Sequence, residues 1–197
     1  MSSLEIIAVI VNILGVWLTA RRIRWCWPVN IVAVLLYAWI FFEVKLYSDM
    51  LLQLAFVLMQ GYGWWQWSSG RDLAGKVHVE RLPRAAALPS LGAGLLGGLL
   101  LGATMHYLTD AAVPWLDALL TTFSLVASFW AARKYLESWM LWIVLDILYV
   151  GLFIYKDLNL TAALYAGFIV LAFYGLLAWR NELHQQGQAA TGTGIAP

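Results

Sequence analysis

Seven apolar runs, each long enough or nearly long enough to cross about 30 Å of hydrocarbon, occupy most of the chain. They cover residues 4–20, 28–42, 48–67, 85–107, 115–132, 139–155 and 161–179. In a bilayer every backbone polar group must find its partner within the protein, which leaves only helices and closed barrels. The runs are continuous, whereas a barrel strand alternates, so helices are predicted. Composition agrees: 62% of residues are hydrophobic and 12% charged, against about half and a quarter in a soluble domain. The opening MSSLE has no basic segment and no small-residue cleavage site after it, so the first run is expected to be a span. Residues 182–197, polar and unpatterned from Gln185 onward, are expected to form a disordered tail.

The linkers between seven spans sort to two sides. One receives Arg21, Arg22, Arg24, Arg71, Lys76, Arg81, Arg84, Arg133, Lys134 and Arg180; the other receives only Lys45 and Lys156. This bias predicts that the first side is cytoplasmic, with the N-terminus outside and the C-terminus inside. A net charge of +1 gives no sign of nucleic-acid binding, and the single cysteine, Cys26, cannot form an intrachain disulfide.

Sliding the chain along itself by 139 − 27 = 112 positions reveals a repeat. Arg21 meets Arg133, Trp27 meets Trp139, Tyr37 meets Tyr149, Gly63 meets Gly175 and Trp67 meets Trp179, all without a gap. Apolar composition alone does not align Arg, Trp, Tyr and Gly in one register. The predicted fold is therefore all-α and membrane-integral, with two parallel three-helix repeats, 1–67 and 115–181. A cytoplasmic loop, 68–84, and a linking helix 4, 85–107, join them. Parallel repeats related by an axis along the membrane normal are the arrangement of SWEET transporters, and repeat interfaces are where solute sites form. Gly94, Gly98 and Gly102 on helix 4 allow close helix approach, within the chain or between subunits.

Polar groups inside the spans are the candidate site. Gln53 and Gln60, seven residues apart, share one face of helix 3. Asp146 is the one acid near the middle of a span, where charge costs at least about 2.5 kcal/mol. These groups either hydrogen-bond a solute or hold helices together. Trp64 and Trp142 lie about a turn inside the span ends and suit stacking on a ring. Asn30, Ser124, Tyr149 and Tyr165 are further candidates, with Asn12, Tyr37, Thr121 and Thr122 weighed beside them; the hydroxyls could instead bond back to their own helix. Glu5 and Asp117 fit the first turn of a helix, where the macrodipole favours an acid, and Ser2 with Glu5 fits a capping box. Trp25, Trp27, Trp65, Trp67, Trp115 and Trp179 read as an interfacial belt. No metal-ligand spacing, nucleophile elbow or phosphate loop occurs, and helix 7 has no lysine for a Schiff base. The chain is expected to be no enzyme and to carry no cofactor.

Several motifs together resemble the PnuC-type vitamin transporters. They are Leu46-Tyr47 with Leu51-Leu52-Gln53, Tyr62-Gly63-Trp64, Arg133-Lys134-Tyr135 with Glu137 and Trp139, then Trp142 and Asp146. The resemblance extends over residues 4–181. It implies a homotrimer in a bacterial inner membrane that moves nicotinamide riboside, or else thiamine, riboflavin or a deoxynucleoside, by facilitated diffusion. A cytoplasmic kinase would trap the solute. It also implies that Gln53 binds the solute, and Asp146 falls where the family has Asp or Asn on helix 6, beside the signature Trp142. Gln60 departs from the family, where Asn is frequent, and lengthens that side chain by one methylene.

Overall fold

The computed structural model describes residues 3–43, 47–69, 77–109, 113–157 and 159–192. Seven helices follow one another: α1 (Ser3–Ala20), α2 (Cys26–Glu43), α3 (Tyr47–Ser69), α4 (Arg84–Leu108), α5 (Pro114–Ala132), α6 (Glu137–Tyr155) and α7 (Asn159–Gly192). No strand occurs among the described residues. Four helices, α4 to α7, are long and apolar enough by length and composition alone to cross a membrane. The capping box expected at Ser2 and Glu5 lies outside the described residues and side chains.

Six helices close into a ring. Around it, α1 packs on α2, α2 on α3, α3 on α5, α5 on α6, α6 on α7, and α7 returns to α1. The 112-residue shift carries this ring onto itself, exchanging the two seams, α3 with α5 and α7 with α1. Outside the ring, α4 lies along α5. Its glycine strip makes that contact within the chain. A Cβ on Gly94 would come within 2.9 Å of Val126, one on Gly98 within 2.6 Å of Leu119, and one on Gly102 within 2.7 Å of Trp115.

Local sequence explains the matching turns. After α1, Arg22 takes a left-handed conformation (φ 58°), and after α5, Lys134 does the same (φ 65°). In each turn a backbone N–H reaches five residues back, Ile23 to Leu18 O and Tyr135 to Trp130 O, both at 2.9 Å. This is the Schellman ending of a helix, built here on a basic residue where glycine is usual. The segment after α3 docks on the second turn. Glu80 exchanges backbone bonds with Lys134 and Leu136, the Leu82 N–H donates to Glu137 Oε2 at 2.8 Å, and Val77 and Val79 are buried.

One expectation is corrected at the C-terminus. The helix of α7 runs on to Gly192, where a disordered tail from 182 is predicted. Glu182 pairs with Arg22 at 2.7 Å, Gln186 donates to Glu182 at 3.3 Å, and Leu183 packs on the core. These contacts hold the extra turns.

Candidate functional site

The ring encloses a cavity of about 1470 Å³ bounded by all seven helices. That exceeds the roughly 300–1,000 Å³ of a typical small-molecule pocket, so a solute would fit together with water. Eight of the nine sequence candidates line it: Asn30, Gln53, Gln60, Ser124, Trp142, Asp146, Tyr149 and Tyr165. Asp146 is only 4% exposed, and no hydrogen bond or ion pair from the described residues reaches it. Gln60 is 9% exposed, and its Oε1 is buried with no partner among the described residues. Such atoms are costly inside a protein unless something bonds to them. Ser124 does bond back to its own helix, at Leu120 O (2.8 Å), while still facing the cavity.

Aromatic rings form one wall. Tyr149 and Tyr165 lie 4.8 Å apart between ring centres, Phe153 is 5.9 Å from Tyr149 and 5.0 Å from Tyr165, and Phe168 meets Tyr165 edge-on at 5.5 Å. Trp142 lines the cavity from α6, one turn from Asp146.

Four more indoles close the end of the cavity nearest the basic turns. Trp27 meets Trp67 (5.5 Å), Trp67 meets Trp179 (6.0 Å), and Trp179 meets Trp139 (5.6 Å). Gly63 and Gly175 leave the room in which the Trp27 and Trp139 rings lie; a Cβ on either glycine would overlap an indole. The Trp67 N–H donates to Ala131 O at 3.1 Å and the Trp179 N–H to Thr19 O at 3.3 Å. Since 131 − 19 = 112, the two bonds are equivalent, and each crosses a seam between repeats. Trp27, Trp67 and Trp179 are thus core residues, which corrects the belt assignment. Trp25, Trp65 and Trp115 are exposed, as a belt requires.

Trp64 is the second correction. It does not line the cavity but packs on Trp25 (5.5 Å) beneath the Arg24 guanidinium (5.4 Å). One turn beyond Gln60 the cavity has already ended, because Trp27 closes on Gly63 there. Thr122 also turns away: it bonds back to Ala118 O and Leu119 O and sits against α4. Sequence reasoning did not assign to the cavity Phe153, Phe168, Thr104 and Thr109 of α4, or Trp27 and Trp139, which line its floor. The last two were legible as a repeated pair, each matched with a repeated glycine. Nothing in the sequence marked the α4 threonines.

A closed ring of apolar helices around a roomy, largely apolar cavity with a few buried polar groups defines a multi-pass membrane protein with an internal binding chamber. Comparison with known proteins agrees. The family model described as "Nicotinamide mononucleotide transporter" matches residues 2–181, and the chain belongs to that family. The nicotinamide riboside transporter PnuC of Escherichia coli K12 is 26% identical over 186 residues, covering 82% of this chain and 78% of its own length. The riboflavin/roseoflavin transporter RibM of Streptomyces davaonensis is 28% identical over 174 residues, covering 85% and 81%. A crystal structure of the vitamin B3 transporter PnuC superposes with a TM-score of 0.72 at 26% identity, covering 92% of this chain and 82% of that one. These relatives are named as transporters, not enzymes.

Proposed function

We propose that the chain is a passive carrier for a ring-containing vitamin precursor, nicotinamide riboside first among them. It would bind its solute in the central cavity and alternate access across the two seams between repeats. One observation carries this reading: Asp146, buried and without a partner among the described residues, faces a cavity roomy enough for a solute and walled in part by aromatic rings. A pyridinium ring suits both the carboxylate and the aromatic faces. Gln53, Gln60, Asn30 and Ser124 would bond ribose hydroxyls or the carboxamide. Trp142, Tyr149 and Tyr165 would box the ring. Transport would be facilitated diffusion, trapped by a cytoplasmic kinase. The carrier would work as a homotrimer in a bacterial inner membrane, with the basic turns on the cytoplasmic side.

Riboflavin is the second reading, supported by the riboflavin/roseoflavin relative and by the longer reach of Gln60. The test is uptake into proteoliposomes, paired with quenching of tryptophan fluorescence in the purified protein. Saturable uptake of nicotinamide riboside, unchanged when proton and sodium gradients are dissipated, is expected. Uptake of riboflavin alone would select the second reading. Uptake that collapses with the proton gradient would overturn the passive mechanism.

A further inference from the structure

Two carboxylates line the cavity, and among the described residues no lysine, arginine or histidine does. Asp146 sits mid-helix on α6. The other, Asp117, lies in the first turn of α5, at the end of the cavity remote from the tryptophan floor. Helix geometry places the two roughly 9 Å apart in depth. The space between them is not neutral packing. Tyr149 lies one turn from Asp146 on α6, its ring 4.8 Å from that of Tyr165, and both tyrosines line the cavity together with Ser124, Thr121 and the two acids. A line therefore runs from carboxylate, across aromatic faces, to carboxylate. Aromatic faces attract cations and do nothing comparable for anions.

The macrodipole accounts for an acid in the first turn of α5. It does not require that acid to face the cavity, nor does it remove bases from the lining. No hydrogen bond or ion pair from the described residues reaches the Asp117 side chain either. Beside Asp146, the Gln60 carbonyl is a second cavity group more than nine-tenths buried and without a partner among the described residues, which indicates a ligand in the same cavity.

We infer that Asp117 is a charge-selecting residue: it forms an outer subsite for an organic cation, which is handed across Tyr149 and Tyr165 to Asp146. This rests on the carrier reading above and narrows it to cationic solutes over neutral ones of the same shape. Focused negative potential in a low-dielectric cleft raises the local concentration of cations and speeds their entry.

The test compares nicotinamide riboside with its neutral dihydro form, and thiamine with riboflavin, in proteoliposomes of wild type, Asp117→Asn and Asp117→Glu. Wild type is expected to prefer the cations. Asp117→Asn should lower that preference about tenfold, chiefly through KM, by removing one nearby charge. Asp117→Glu should restore it. Uptake of the neutral solutes, and the melting temperature of each variant, serve as the control for a merely structural role. A preference unchanged in Asp117→Asn overturns the inference and leaves the carrier reading intact. A wild type that prefers neutral solutes also overturns it. No uptake of any of the four by wild type overturns the carrier reading itself, and the inference falls with it.

Discussion

The two repeats agree where they hold each other and differ in the polar groups they turn toward the cavity. The floor is matched residue for residue: Trp27 and Trp139 against Gly63 and Gly175, and Trp67 and Trp179 bonded across opposite seams. Many lining positions also coincide under the 112-residue shift: Tyr37 and Tyr149 stay alike, as do Phe56 and Phe168, but the polar positions differ. Asn12 corresponds to Ser124, Asn30 to Trp142, Val34 to Asp146, Gln53 to Tyr165 and Gln60 to Ala172, and all ten line the cavity. At these five pairs the first repeat supplies amides and a valine; the second supplies an acid, two aromatic rings, a hydroxyl and an alanine. Packing a shared scaffold favours symmetry, whereas an asymmetric solute favours different groups on its two sides.

The largest expected effect tests that asymmetry. Gln53→Ala and Asp146→Ala should each lower solute uptake more than about tenfold, because each strips a polar partner from the bound solute. Val34→Ala, at the position equivalent to Asp146, should stay within about twofold, since it removes only part of an apolar wall. Equal losses at Val34 and Asp146 would mean that the cavity shape, and not its chemistry, selects the solute. Next come the matched glycines. Gly63→Ala and Gly175→Ala force a methyl into an indole and should each cost about 1–3 kcal/mol in detergent unfolding. Tolerance of one and not the other would break the equivalence of the two floor halves. Smallest are Trp67→Phe and Trp179→Phe, each losing one buried bond worth about 1 kcal/mol. A clear difference between them would sharpen the comparison by showing which seam holds the floor.

Much of this was written in the sequence. Apolar runs dictated the helices, and the self-alignment dictated the paired seams. Gln53, Gln60 and Asp146 were conspicuous because polar groups in hydrocarbon need a reason. The failures have a common physical cause. Trp27, Trp67 and Trp179 sit at span ends, where tryptophan is ordinarily interfacial; a facing glycine marks Trp27 as folded inward, while Trp67 and Trp179 are drawn in by carbonyls distant in sequence. Trp64 shares a face with Gln53 and Gln60, but direction on a helix does not say at what depth a cavity stops. The extra turns of α7 depend on Arg22, a residue distant in sequence, so local polarity could not reveal them.

The seam between α1 and α7 joins the first helix of the chain to the last. During synthesis the chamber cannot exist until α7 enters the bilayer, because until then the ring is open. Asn30, Gln53 and Gln60 enter the membrane well before that, while their eventual neighbours from the second repeat are still unmade. The nascent protein must shelter those amides, whether against lipid-phase water, against one another or against the insertion machinery. Biogenesis, more than the finished fold, is where polar groups in the first half of such a carrier are most exposed.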